Sequence, residues 1–174
     1  MDIEFEIEEL ADTSVILDLP LREDLNIEIG NGEVIKYGNE EISNNNGNYS
    51  LLLKNNVLKL SSVDNIKPNG CRLFIDFCLF DIDSYQILLK YGIYGIIVYI
   101  QNKQMLLSVI SRSGIILKKS ILDNLEKDKW YYNIEIKLPD ISNLLIEDLD
   151  RYFYFSDFNN GFNGAVRNII IKKD

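Results

Sequence analysis

The sequence predicts an all-β chain folded as a two-sheet antiparallel β-sandwich, and three observations carry that prediction. About a dozen short apolar runs recur, parted by turn signals roughly every 8–12 residues. Most runs alternate apolar and polar side chains, the period of a strand with one buried face. Helical spacing is scarce, which leaves sheet packed on sheet as the way to bury these runs. Neither an internal repeat nor a linker interrupts residues 1–174, so they read as one domain.

Residues 2–8 set Ile3, Phe5 and Ile7 against Asp2, Glu4, Glu6 and Glu8, a strand with one acidic face. The alternation breaks at 8–12. Residues 14–19 are a second strand, ended by Pro20. Residues 26–37 read as a hairpin turning at Gly30-Asn31-Gly32, residue types that tolerate positive φ. Residues 38–48 are polar and turn-rich, which predicts a loop. Residues 49–54 and 57–60 read as a hairpin around Asn55-Asn56, and 63–70 as a connection containing Pro68 and Gly70.

Residues 71–80 are the longest apolar strand. Leu73, Ile75, Phe77 and Leu79 share one face; Phe74, Cys78 and Phe80 share the other with Asp76. A strand apolar on both faces is expected to be covered on both. Asp81 to Ser84 turns the chain, and strands follow at 85–91, 93–101 and 104–111, the last two joined by Asn102-Lys103. Residues 114–119 are a short strand, and 120–129 a helical turn or a loop. Residues 130–138 alternate clearly, with Trp130, Tyr132, Ile134 and Ile136 on the expected core face and Tyr131 on the other. Pro139 ends that strand. Residues 141–150 have leucines at helical spacing, though a strand and turn would also fit. Residues 151–156 form an aromatic strand, and the loop 157–161 leads to a closing strand that begins near Phe162.

Several of these stretches, in this order, resemble the laminin G-like branch of the concanavalin A-like lectin and glucanase superfamily. Val57-Leu58-Lys59-Leu60 followed by residues 71–80 is similar to its early strand and long apolar strand. Residues 94–98 through 105–109 are similar to its central hairpin. Lys129-Trp130-Tyr131 looks like the start of its K-W-Y-H-I strand, and Phe162-Asn163-Gly164-Ala165 like the start of its closing F-N-G-A-I strand. The resemblance covers residues from about 50 to 174. Tyr132 stands where the family usually has His, and residues 139–150 replace a Gly-containing hairpin. The resemblance implies a concanavalin A-like jelly roll that binds glycans, proteins or a structural cation, or that serves as a structural or adhesive module.

Composition narrows the chemistry. The chain has 27 acidic and 18 basic residues, a formal charge of −9, and no basic cluster. A nucleic-acid backbone would be repelled. The chain has no His, which removes Ser-His and Cys-His nucleophiles and His metal sites. Cys71 and Cys78 lie seven residues apart. On one strand that is about 23 Å, too far for a disulfide, so both are expected as buried thiols. The acidic start lacks the basic and apolar regions of a signal peptide. No apolar run reaches the roughly 18 residues of a membrane helix. The expected location is therefore cytoplasmic synthesis, with release or incorporation into a particle afterwards.

Glycoside hydrolysis needs two carboxylates at fixed separation. The Glu-x-Asp-x-x-Glu run of the glucanase relatives is missing, so an enzyme is not expected. Glycan sites pair an aromatic platform with Asn or Asp; Tyr154, Phe158, Asn159, Asn160 and Asn163 are the candidates on the last loop. Hard oxygen ligands suit calcium, and Asp157, Asn159 and Asn160 form the first such cluster, with Asp81 and Asp83 second. Core packing of the aromatics and Asx turns that bind nothing explain the same residues. The function expected is a non-enzymatic binding or adhesion module whose partner is a glycan, or else a protein. The alternative is a structural or adhesive subunit of a larger particle, virion, phage-like or secretion assembly, with homo-oligomers among its forms.

Overall fold

The computed structural model describes residues 15–21, 24, 33–38, 42–45, 48–54, 56–61, 71–92, 95–141 and 152–173. The strand expected at 2–8, the first arm of the 26–37 hairpin, the 63–70 connection and the leucines of 142–150 lie outside them. The described residues contain thirteen strands and no helix, and hence none long and apolar enough to cross a membrane. They are β1 (Val15–Leu19), β2 (Glu33–Tyr37), β3 (Ile42–Asn45), β4 (Asn48–Leu52), β5 (Val57–Ser61), β6 (Arg72–Leu79) and β7 (Gln86–Tyr91). After them come β8 (Ile96–Gln101), β9 (Gln104–Ser111), β10 (Gly114–Leu122), β11 (Trp130–Lys137), β12 (Phe153–Phe155) and β13 (Gly164–Lys172).

Two antiparallel sheets result, as the alternation requires. The seven-stranded sheet runs β10-β9-β8-β7-β12-β5-β2. The six-stranded sheet runs β11-β6-β13-β4-β3, with β1 also on β13. The closing strand therefore occupies the middle of its sheet. β6 pairs along one side of β13; on the other, Ala165 and Val166 meet β4, and Ile169 to Lys172 meet β1.

The core lies between the sheets. Leu73, Ile75, Phe77 and Leu79 of β6 face Leu58, Leu60, Val98, Ile100, Leu107, Phe153 and Phe155 in one buried cluster. Each such side chain contributes about 1.5–3 kcal/mol on burial. The Asn102-Lys103 turn has positive φ at both residues (50° and 60°), which matches the twist of a two-residue hairpin. Cys71 and Cys78 are both buried. Burial, and then the negative charge of Asp128, raises the Cys78 thiol above its ordinary pKa.

Four sequence expectations are corrected. Residues 38–48 are not all loop: Ile42–Asn45 pairs with Asn48–Leu51 as the β3–β4 hairpin, because the polar run supplies an edge strand as well as its turn. Residues 49–54 and 57–60 do not form a hairpin. β4 and β5 belong to different sheets, and Leu53 to Asn56 carries the chain across the sandwich, with Asn56 Nδ2 donating to the Leu52 carbonyl at 2.9 Å. Residues 120–122 extend β10 and are not part of a helical turn.

The fourth concerns the face of Trp130. Tyr131 pairs with Phe77 and Ile134 with Ile75, so β11 holds one more residue than its partner over this span. Asn133 absorbs the extra residue at φ 50°. Parity flips there. Tyr131 turns inward and stacks on Phe77 at 5.2 Å, while Trp130 and Tyr132 turn outward, Tyr132 being 59% exposed. β13 has a matching bulge at Asn168 (φ 53°) between Arg167 and Ile170. It puts Val166, Ile169 and Ile171 all into the core.

Candidate functional site

The loop between β12 and β13 is held closed at both ends. Ser156 sits at its start with φ 73° and is buried. Its backbone N–H donates to Leu88, and its Oγ accepts from the Phe162 N–H at 3.0 Å. Buried Gln86 ties the far end: its Oε1 accepts from the Asn163 N–H at 2.8 Å, and its Nε2 donates to the Asp81 carbonyl at 2.6 Å. The Asn160 carbonyl accepts from the Ile87 N–H at 2.9 Å. The tip of the loop is thereby positioned against β7 and β5.

Asp157 organises that tip. Its Oδ2 accepts the N–H groups of Asn159 and Asn160 at 3.1 and 3.0 Å, an Asx turn. Its Oδ1 accepts from Lys90 Nζ at 3.3 Å. Burial raises the Asp157 carboxyl. The Asn160 and Asn159 N–H groups and the charge of Lys90 outweigh that and hold it below the ordinary aspartate value. A depressed folded-state pKa stabilises the loop above the unfolded value of about 3.9, and that contribution is lost as pH falls through the lower folded value. Amide exchange at Asn159 and Asn160 should therefore stay slow from neutral pH down to about pH 4 and accelerate only in stronger acid. Protection already lost near pH 5 would contradict this assignment.

With the tip fixed, Phe158 stands out 67% exposed. It meets Tyr37 edge to face, centroids 5.4 Å apart and planes at 70°. Phe158 borders two adjoining clefts, and Tyr37 the larger of them. The larger, ≈ 410 Å³, is lined by Tyr37, Lys54, Val57, Asp157, Phe158 and Asn159 among others. The smaller, ≈ 160 Å³, runs over Lys90, Gly92, Tyr154 and Ser156. Lys59 crosses beside it, its Nζ 4.1 Å from the Tyr152 ring centroid and 5.7 Å from that of Tyr154. The arrangement offers an exposed aromatic edge, a carboxylate and several ammonium donors around a shallow recess.

Of the residues singled out in the sequence, Tyr154, Asp157, Phe158 and Asn159 line these clefts. Asn160 closes the same turn through its backbone, and the Asn163 N–H is bound to Gln86. Sequence reasoning missed Tyr37 of β2, Lys54 of the β4–β5 connection and Lys90 of β7, all distant from the loop along the chain. Asp81 accepts the N–H groups of Asp83 and Ser84 at 2.9 and 3.4 Å, and so closes its own turn. Among the described residues no group of three or more Asp, Glu or Cys side chains converges as a cation cage.

The outer face of the six-stranded sheet carries a second polar-aromatic cluster that sequence parity hid. Trp130 and Tyr132 stack at 6.3 Å, and the Arg167 guanidinium lies 4.5 and 5.3 Å from their centroids. Arg167 Nε approaches Asp76 Oδ2 at 3.5 Å.

Known proteins share this fold but little sequence. No family model and no curated protein matches the chain. Among solved structures, the botulinum neurotoxin serotype D binding domain is similar, with TM-score 0.67 and 16% identity over 92% of this chain. The receptor binding domain of a botulinum neurotoxin C/D mosaic serotype gives 0.65 and 16% over 92%. The binding domain of botulinum neurotoxin DC in complex with SialylT gives 0.65 and 13% over 93%. The chain covers 48% of each of these structures. These similarities confirm the two-sheet sandwich.

Proposed function

We propose that this chain is a non-enzymatic binding module, a divergent laminin G-like sandwich whose ligand is a carbohydrate held at the Tyr37–Phe158 cleft. The observation that carries the reading is an exposed aromatic pair beside a recess lined by Asp157, Lys54 and Asn159. Sugar rings present apolar C–H faces and a rim of hydroxyls, so an aromatic edge flanked by carboxylate and ammonium groups suits them. The binding roles named for the neurotoxin domains of the same fold support it.

Calcium belongs to the same proposal as a cation for Asp157, Asn159 and Asn160. It would have to displace Lys90 and two N–H groups from the Asp157 carboxylate.

A glycan array followed by calorimetry on the best hit tests the reading. Phe158→Ala and Tyr37→Ala should each weaken that hit about tenfold, close to 1.4 kcal/mol. Both rings are exposed, so the melting temperature should barely move. An array without signal, or affinity unchanged in both variants, would reject the site. The same melts, run with calcium and then with chelator, show whether the cation belongs to it.

A further inference from the structure

We propose that Trp130 and Tyr132 form a second glycan site, a flat platform for an uncharged chain of pyranose sugars. It rests on the sugar-binding reading above for its ligand class but not for its location. The cleft belongs to the seven-stranded sheet and the platform to the six-stranded one. The bulge at Asn133 turns both rings outward on β11, an edge strand paired only to β6 among the described strands. Their planes lie within 22° and their centroids 6.3 Å apart. A guanidinium slotted between face-to-face rings would sit at half that separation from each centroid. Arg167 is farther from both, at 4.5 and 5.3 Å. The stack is therefore strongly offset: the rings stand side by side, and Arg167 lies against the same side of each. The Arg167 side chain is 17% exposed and Tyr132 59%. The guanidinium is thus the covered underside, and the opposite ring faces meet solvent.

Three features select the occupant. Side-by-side rings make an extended flat surface, which suits the successive C–H faces of a sugar chain; a polyproline helix docks instead into an aromatic-lined groove. A ring that already holds a guanidinium on one side is a poor partner for a second cation, since both would draw on one quadrupole. Asp76 balances Arg167, so the platform has no net charge to attract an anion, and the chain's charge of −9 repels one. Exposed Asn133 follows Tyr132 along the strand and supplies an amide for sugar hydroxyls. With sites on separate sheets, one chain can hold two stretches of polysaccharide at once.

Trp130 is the chain's only tryptophan, so its fluorescence reports on the platform directly. The test titrates the full chain with hexasaccharides of β-linked glucose, xylose, mannose and N-acetylglucosamine. At least one should change the Trp130 emission saturably. Tyr132→Ala keeps the reporter and removes an exposed ring; it should weaken that sugar about tenfold with the melting temperature unchanged. Trp130→Ala should lose the sugar in calorimetry. Tyr37→Ala/Phe158→Ala, which removes the cleft, should leave the emission change as it was, so the two sites fail separately. No emission change with any of these sugars, or a change that Tyr132→Ala leaves intact, would overturn the proposal whatever the glycan array shows. Loss of the change in the cleft variant would overturn it too, because the sugar would then sit at the cleft. So would a proline-rich peptide that shifts the emission where no sugar does, because the platform would then belong to a protein partner.

Discussion

Asp76→Ala should lower the unfolding free energy by about 3–5 kcal/mol. Asp76 lies in β6 between the two bulged strands and is 8% exposed. Its Oδ1 accepts the Asn133 N–H at 2.6 Å, and its Oδ2 accepts Asn168 Nδ2 at 2.8 Å. Asn133 and Asn168 are the residues that carry positive φ in β11 and β13. One carboxylate therefore steadies both bulges and also faces the Arg167 guanidinium. Alanine removes two acceptors and leaves the half-buried Arg167 without its counter-charge. Both bulges set parity, so their loosening would reach the inward placement of Tyr131 and Ile169. Urea denaturation measures the loss. A change below about 1 kcal/mol would mean that the bulges hold without Asp76. Asp76→Asn should be milder, since the amide oxygen can still accept one of the two bonds.

Gly164→Ala should cost about 3 kcal/mol, although it adds a single methyl group. A Cβ at Gly164 would collide with the Cys78 carbonyl oxygen and press on the Phe162 ring. Neither can yield easily. Cys78 lies within β6, paired on both sides, and Phe162 is wholly buried against Phe77. The glycine is thus required by the closeness of β13 to β6 at its first residue. Comparative denaturation of Gly164→Ala and Ala165→Gly would expose the difference. A loss below about 1 kcal/mol for Gly164→Ala would show that the strands separate without strain.

Much of this was legible in the residues. Alternation places Leu73, Ile75, Phe77 and Leu79 on one face because nothing interrupts β6, and the Asn102-Lys103 turn declares itself by type. The Phe162-Asn163-Gly164 motif marks the start of the closing strand, although not its close approach to β6. Parity failed at Trp130, where an extra residue at Asn133 reverses the face without any Gly or Pro to announce it. The Asn55-Asn56 signal predicted a hairpin that the structure does not form, because local residues do not say whether a chain returns to its own sheet or crosses to the other. The candidate site was half visible. The Asp157 loop carries its own Asx chemistry, whereas Tyr37 and Lys90 arrive through sheet pairing, and Lys54 through the crossing between sheets, that no local pattern encodes.

The central position of β13 also governs the order in which the molecule can come into being. β13 is the last described strand along the chain, and among the described strands it alone joins the β11–β6 pair to the β4–β3 pair and gives β1 its partner. During synthesis, one sheet therefore waits as fragments with open edges until its keystone emerges from the ribosome. Such long-range closure is slow and leaves interim edges free to stick. The nascent chain has most need of a chaperone in that interval, before β13 slots in.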